Sequence, residues 1–263
     1  MFEFGIGITT RNRPDVLKIC LRHLREYLPE ETCKIIVVDD ASSPENFSKN
    51  RGIVASYKTF SYDYSAERKG IAKAKNACLN HLTACKHIFL FDDDCFPNRP
   101  NWFDVWLAPK LAHLTFSMDL RSLVDAPADS AHLHRVAEGQ DWEAFSGGLG
   151  CCLYLQNKVL NLVGAFDPNF GIYGYEHAQF SKRCHMAGLS PHEYTAPKGV
   201  LDSIYSIDMH WRWLARRPSL PANFDSFDTS VTREEAAKHV EYAHLMQKCK
   251  IFIPLRGAPC ESE

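Results

Sequence analysis

The stretch HIFLFDDDCFP, residues 87–97, decides the fold that we expect the chain to adopt. Its apolar residues are too few for a helix and are typical of a buried strand, which runs directly into Asp92, Asp93 and Asp94. In an open α/β sheet, ligands bind just beyond the carboxyl ends of the strands. Neighbouring carboxylates repel one another unless a cation lies among them. The acidic end therefore indicates either a site for a hard divalent cation or a solvated turn, since Asp and Pro are common in turns.

Composition limits the class of protein. The chain has 263 residues, of which 45% are hydrophobic, enough for one large core. Its 30 basic and 32 acidic residues nearly cancel, so no global field attracts nucleic acid or an anionic membrane. No apolar run approaches the roughly 20 residues that span a bilayer, and the N-terminus lacks a secretory pattern. The ten cysteines form no CxxC pair, which favours a reducing, cytoplasmic setting.

Strand and helix signals alternate through the first hundred residues. Strands are predicted over Phe2–Thr9, Lys34–Val38 and Tyr57–Tyr64, with amphipathic helices after Pro14 and Gly70. This alternation predicts right-handed βαβ units and a parallel sheet. Three strand ends should then bring Thr9–Arg11, Asp39–Asp40 and Asp92–Asp94 to one edge of the sheet.

The second half of the chain is less regular. We predict helices over Trp102–His113 and from after His177 to about Ala187, an irregular polar segment from Thr115 to about Glu143, and a late helix from Thr232 to about Lys248. The glycine-rich segment at residues 146–150 has no following P-loop lysine, so it does not support a phosphate cradle.

Five segments, in order, match the pattern of a known family. They are ITTRNRPDVLKICL (8–21), KIIVVDDASSPEN (34–46), GIAKAKNACLNH (70–81), FLFDDDC (89–95) and VGAFDPNFGIYGYEHAQFSKRCHMAGL (163–189). The chain resembles nucleotide-sugar-dependent glycosyltransferases of the family-2 type over roughly residues 4–190. The resemblance implies the α/β GT-A fold, a Rossmann-like, mostly parallel central sheet flanked by helices in a single domain.

The resemblance also implies roles for individual residues. Those assigned to the nucleotide sugar, together with an arginine that can clamp diphosphate oxygens, are Thr9, Arg11, Asp39, Asp40, Lys75, Asp92, Asp93 and Arg212. The outer pair of the DXD-like motif, Asp92 and Asp94, is assigned to Mn²⁺ or Mg²⁺. His210 is either a further metal ligand or an ordinary surface or core residue. Such an ion neutralises charge that develops on a diphosphate leaving group, and the resemblance favours a UDP-sugar donor.

The chain departs from the family pattern where the catalytic base is expected. The family usually has Glu-Asp at this position, and here the pair is Glu176-His177. Either residue is a competent general base, since an ordinary histidine has a pKa of about 6.5. Asp167 is a more distant option, in a segment that reads chiefly as a turn.

The expected organisation is one domain over residues 1–263, with a nucleotide-sugar-binding half (1–100), an acceptor and catalytic half (101–228) and a C-terminal helix and tail (229–263). The expected reaction is metal-dependent, inverting transfer of a sugar by direct displacement. Glycan, protein side chain, lipid and a modified nucleic-acid base all stay open as acceptors, and no membrane span is expected. Two alternatives are a nucleotidyltransferase and an inactive carbohydrate- or nucleic-acid-binding relative. The basic, aromatic segment at residues 211–217 suits stacking against nucleic acid.

Overall fold

The computed structural model describes residues 2–28, 32–119, 133–208, 246 and 250–255. The strands are β1 (Phe2–Thr10), β2 (Cys33–Asp40), β3 (Phe60–Ser65), β4 (Cys85–Asp92), β5 (Cys95–Pro97), β6 (His113–Phe116), β7 (Arg135–Glu138), β8 (Trp142–Phe145), β9 (Leu149–Gln156), β10 (Tyr194–Pro197) and β11 (Ile204–Ser206). The helices are α1 (Pro14–Tyr27), α2 (Pro44–Ala55), α3 (Ile71–Leu82), α4 (Trp102–Leu107), α5 (Lys158–Leu162), α6 (Glu176–Met186) and α7 (Val200–Ser203).

The main sheet has six strands in the order β3-β2-β1-β4-β9-β6. β1 pairs in parallel with β2 and β4, and β2 with β3. β9 is antiparallel to both of its neighbours. The predicted α/β fold with a mostly parallel sheet is therefore confirmed. Because β2 and β4 lie on opposite sides of β1, the strand order reverses there, which is where open α/β sheets bind ligands.

Two apolar cores lie on opposite faces of this sheet. Along β2, Ile35 and Val37 belong to one core, whereas Ile36 and Val38 belong to the other, as expected from the two-residue period of a strand. Helix α1 starts with Pro at its first position and buries an apolar stripe in the first core. The second core contains the apolar residues of α3 and α6.

Several elements differ from their predicted bounds. Helix α4 ends at Leu107, well before the predicted end at His113, because His113 begins strand β6. The segment predicted to be irregular contains half of β6, all of β7 and half of β8. Strands β7 and β8 belong to a small sheet in the order β10-β8-β7. Strands of four residues with mixed exposure carry too little periodic signal to be recognised in a sequence. The predicted late helix lies outside the described residues, apart from Met246.

The described part of the chain holds no helix that is both long enough and apolar enough to cross a bilayer.

Candidate active site

A cavity of about 370 Å³ opens at the carboxyl ends of β1 and β4. Polar residues from the ends of β1, β2 and β4 and from the start of α6 line it, with others from the chain beyond β11. Those used below are Thr9, Thr10, Arg11, Arg13, Asp40, Arg68, Asp92, Asp93, Asp94, Gly150, Glu176, His177, Ser206 and Asp208. The structure thus brings the predicted strand-end residues to one place, as parallel strands require.

The end of β1 holds the acidic end of β4. Thr9 and Asp92 are paired across the two strands, and the Thr9 hydroxyl donates to Asp92 Oδ1 at 3.2 Å. The Thr10 hydroxyl donates to Asp93 Oδ2 at 2.7 Å. These two threonines leave Asp92 at the cavity surface and fix Asp93 beneath it.

Asp93 and Asp94 are almost fully buried. Burial raises the pKa of the Asp93 carboxyl to about 6, although Arg13 opposes this shift. Burial and the negative charge of Asp208 raise the pKa of Asp94. Asp94 accepts hydrogen bonds from the Ser206 hydroxyl and from the backbone N–H of Asp208. In the acidic cluster formed by Asp93, Asp94 and Asp208, the nearby positive charge therefore does not fully offset the cost of burying the carboxylates.

Arg13 forms ion pairs with this cluster. Its guanidinium lies 3.1 Å from Asp93 Oδ1 and 3.1 Å from Asp208 Oδ1. Burial alone would lower the pKa of Arg13, but the charges of Asp93 and Asp208 outweigh burial and raise it. Arg13 thus connects the end of β1 to the chain just beyond β11.

The two aspartates at the end of β2 have different surroundings. Asp39 is fully buried and accepts hydrogen bonds from Ser42 N–H, Asn50 Nδ2 and Tyr62 Oη. Asp40 lines the cavity and accepts the backbone N–H groups of Lys69 and Gly70. Asp39 is not among the residues that line the cavity, so Asp40 is the one that a ligand there would meet.

Glycine at position 70 allows the start of α3 to pack closely against the loop at residues 171–174, part of which lines the cavity. Its φ is +88°, and a Cβ there would lie 2.1 Å from the carbonyl oxygen of Gly171. The next residue, Ile71, donates its N–H to the carbonyl of Ile172 at 3.1 Å. This contact holds the loop at residues 171–174, which precedes Glu176, beside the start of α3.

Lys75 is buried behind the cavity. Its Nζ donates to Gly150 O at 2.8 Å and lies 3.4 Å from Glu176 Oε1 and 3.5 Å from Asp92 Oδ1. Burial opposes its charge, but the carboxylates of Asp92 and Glu176 raise the pKa of Lys75 above its usual value. Lys75 does not line the cavity.

Glu176 is 3% exposed and begins α6. Burial would raise its pKa, but Lys75 and then His177 outweigh burial and hold the pKa of Glu176 far below its usual value. Its second oxygen, Oε2, has no hydrogen-bond partner among the described residues. The preceding residue, Tyr175, has a φ of +63°. Residues other than glycine rarely adopt this backbone conformation, and it is found often at functional sites.

His177 lies between two acceptors. Nδ1 is 3.4 Å from Glu176 Oε1, and Nε2 is 3.2 Å from the carbonyl oxygen of Gly148. A neutral imidazole has one donor nitrogen, so both contacts are hydrogen bonds only when the ring carries two protons. In this arrangement His177 has no lone pair directed at the cavity.

The remaining predicted residues, His210 and Arg212, lie outside the described part of the chain. Sequence reasoning missed Arg13, Arg68, Ser206 and Asp208 as residues of the site. Arg13 lies in the polar turn that follows β1, so the sequence could have indicated that it lies near the other strand ends. Asp208 had none beyond its place in the chain next to His210.

The carboxylates fit a hard divalent cation, as far as the described residues go. Asp92, Asp94 and Asp208 all line the cavity, and carboxylate oxygens are the ligands that Mg²⁺ and Mn²⁺ prefer. Within the described ranges, no group of three or more His, Cys, Asp or Glu side chains is arranged to hold a metal. The site therefore suits an ion bound by one or two carboxylates, with the remaining ligands supplied by water or phosphate oxygens.

Comparison with known proteins finds similarity to one family and to one viral relative. The sequence model of glycosyl transferase family 2 matches residues 6–109. An uncharacterised glycosyltransferase of Acanthamoeba polyphaga mimivirus, R363, is 27% identical over 204 residues, which are 72% of this chain and 75% of the relative.

Two solved structures share the fold. The mannosyltransferase PcManGT of Pyrobaculum calidifontis, in complex with GDP-Man and Mn²⁺, is 20% identical with a TM-score of 0.53, over 68% of this chain and 52% of its own. Residues 1–349 of TarS from S. aureus, in complex with UDP, are 15% identical with a TM-score of 0.52, over 71% and 56%. The matched region spans about half of each of these proteins. The first 109 residues thus include a region similar to glycosyl transferase family 2, the relative is similar over most of the chain, and the two solved structures share its GT-A fold.

Proposed function

We propose that the protein transfers a sugar from a nucleoside diphosphate sugar, with uridine favoured as the nucleoside, to an acceptor hydroxyl, with the help of Mn²⁺ or Mg²⁺. One observation carries this proposal. The acidic end of β4 and Glu176 line the same cavity, and Glu176 Oε2 is a buried oxygen with no hydrogen-bond partner among the described residues. Sugar transfer needs both groups, one to hold the diphosphate and one to accept the proton of the acceptor.

The donor side of the cavity is formed by the strand ends. Asp40 and Asp92 line the cavity, and carboxylate oxygens suit the N–H of a base and the hydroxyls of a ribose. Arg11 and Arg68 line the same cavity, and guanidinium groups bind phosphate oxygens in pairs. Arg212 and His210 stay predictions for the donor and the metal, respectively.

Asp94 is the residue that we expect to hold the metal most directly, with Asp92 as its partner in the motif. The pKa of Asp94 is raised by burial and by the neighbouring charge of Asp208, so a cation between these carboxylates would relieve their repulsion. A divalent ion bound there supplies positive charge to the diphosphate as it leaves.

On the acceptor side, we assign the general base to Glu176 rather than to His177. Lys75 and His177 keep the Glu176 carboxylate ionised despite burial, and Oε2 has no partner among the described residues. The acceptor hydroxyl gives its proton to Glu176 while its oxygen forms a bond to the anomeric carbon. The bond from that carbon to the diphosphate oxygen breaks in the same displacement, so the anomeric configuration is inverted.

Relatives in fold support a nucleoside diphosphate sugar without naming the nucleoside. PcManGT was solved with GDP-Man and Mn²⁺, and TarS was solved with UDP. A nucleotidyltransferase would more often carry a glycine-rich loop after the first strand, and the segment TTRNRP at residues 9–14 has no glycine. The acceptor is left open between a glycan, a protein side chain, a lipid and a nucleic-acid base.

The test is a thermal-shift screen of UDP, GDP, UDP-glucose, UDP-N-acetylglucosamine and GDP-mannose, with and without Mn²⁺. A ligand at a hundredfold excess over its dissociation constant stabilises the native state by about 2.7 kcal/mol. We expect a shift with one nucleoside series that depends on Mn²⁺ in the wild type and is lost in Asp94→Asn. A folded wild type that shifts with none of these ligands would contradict the proposal.

A further inference from the structure

Lys75 joins two parts of the site that are far apart in sequence. Its side chain is 1% exposed, and its ammonium contacts Asp92 at the end of β4, Glu176 at the start of α6 and the carbonyl of Gly150 in β9. Asp92 belongs to the donor side of the proposed site and Glu176 to the acceptor side. A single buried charge thus contacts both sides.

The position of Lys75 does not suit contact with the nucleotide, the role that the family resemblance implies for it. The side chain does not line the cavity, and a Lys ammonium has three donors. Three oxygens already surround Lys75 Nζ, namely Gly150 O, Glu176 Oε1 and Asp92 Oδ1. A phosphate oxygen would have to displace one of these partners.

We propose that Lys75 is a positioning residue that holds Asp92 and Glu176 in the orientation needed for transfer and keeps the proposed base unprotonated. This inference rests on the proposed function. The three contacts fix one oxygen of Glu176 on Lys75 and leave Oε2 as the oxygen for the acceptor. They also fix Asp92 Oδ1, which the Thr9 hydroxyl holds from β1.

The charges around Glu176 explain why the ammonium matters. Among the described residues, the charged or titratable groups that act most on its carboxylate are Lys75 from α3 and His177 from α6 itself. The carbonyl of Gly150 in β9 accepts a hydrogen bond from Lys75. A buried carboxylate without a nearby cation has a raised pKa. Removing Lys75 would therefore protonate Glu176 across a range of pH in which the wild type keeps it ionised.

The test compares Lys75→Met with the wild type in two measurements. The first is the dissociation constant for UDP with Mn²⁺, which we expect to change by less than about threefold, since Lys75 itself does not line the cavity and the Thr9 hydroxyl still holds Asp92 Oδ1 in the variant. The second is the rate of sugar-nucleotide hydrolysis, in which water replaces the acceptor, from pH 5 to 9. We expect the hydrolysis rate of Lys75→Met to be about a hundredfold or more below that of the wild type near neutral pH. The pH at which the rate rises should be higher in the variant than in the wild type, because Glu176 then ionises at a higher pH.

The outcomes separate the two proposals. A UDP affinity weakened by about tenfold or more, with the pH profile unchanged, would make Lys75 a nucleotide contact and overturn its positioning role alone. A wild type that neither binds nor hydrolyses any sugar nucleotide would overturn the proposed function and this role together.

A folding measurement covers the case in which Lys75→Met is unstable. In the double variant Lys75→Met/Glu176→Gln the unpaired carboxylate is removed as well, so we expect its melting temperature to exceed that of Lys75→Met. This gain should shrink as the pH falls, because protonation of Glu176 in the single variant has the same effect. Equal melting temperatures for the two variants at all pH values would overturn the coupling.

Discussion

The guanidinium of Arg13 donates two hydrogen bonds to the carboxylate of Asp208, at 3.1 and 3.2 Å, across 195 residues of chain. The same group forms an ion pair with Asp93 at 3.1 Å. Arg13 precedes α1, and Asp208 follows β11. This contact connects the segment after β11 to the turn between β1 and α1. It also places a positive charge beside the carboxylates of Asp93 and Asp208.

Replacing Arg13 by Met should destabilise the protein by about 2 kcal/mol, because it leaves Asp93 and Asp208 without their cation. Breaking a buried ion pair on one side costs about 3–5 kcal/mol, and the 19% exposure of Arg13 reduces this figure. Urea unfolding at neutral pH measures the change. Arg22→Met, at an exposed position of α1, is the control and should change stability by no more than about 0.5 kcal/mol. Equal midpoints for the two variants would show that the Arg13 contacts do not stabilise the fold.

Glu176 and His177 should separate in a kinetic comparison. We expect Glu176→Gln to lower kcat by about a hundredfold or more, the usual contribution of a general base, while the affinity for UDP with Mn²⁺ stays unchanged. His177→Gln keeps a donor for Gly148 O and should lower kcat by less than about tenfold. The reverse order of effects would assign the base to His177.

The strand ends show how far the sequence could predict the site. Asp92–Asp94 and Thr9 were expected at one edge because the order of elements determines where the ends of parallel strands meet. The pairing of Arg13 with Asp208 could not be predicted, since no local pattern relates two residues that only the tertiary fold brings together. The same limit applies to Lys75: its place in α3 was predictable, but its burial between Asp92 and Glu176 depends on how α6 packs.

His113 should make the stability of the protein sensitive to acid. Its ring is buried and contacts Tyr154 O at 3.1 Å and the Ser181 hydroxyl at 2.9 Å, and burial lowers the pKa of His113 to about 4. In the unfolded chain the pKa is about 6.5. The unfolded state therefore binds a proton first as the pH falls, and roughly 3 kcal/mol of stability should be lost between about pH 6.5 and 4.

Urea unfolding of the wild type and His113→Gln at several pH values tests this expectation. The variant should be less stable at pH 8, because the ring and its hydrogen bonds are lost, and its stability should fall less steeply below pH 6.5. Parallel curves for the wild type and His113→Gln would mean that other groups cause the acid sensitivity.

Gly70 and Gly52 offer a matched pair of glycine-to-alanine changes. Gly70 has a φ of +88°, and a Cβ would meet Gly171 O at 2.1 Å, so Gly70→Ala should destabilise the protein by about 2 kcal/mol or more through backbone strain and displacement of the loop. Gly52 lies within α2, and a Cβ there meets nothing within 4 Å. Gly52→Ala should therefore stabilise the protein by about 0.5–1 kcal/mol, since Ala has a higher helix propensity than Gly.

Because the loop at residues 171–174 lines the cavity next to Glu176, we also expect Gly70→Ala, but not Gly52→Ala, to weaken the thermal shift produced by UDP and Mn²⁺. Thermal melts with and without these ligands measure both effects, and an unchanged ligand shift in a destabilised Gly70→Ala would show that the loop contact supports the fold alone.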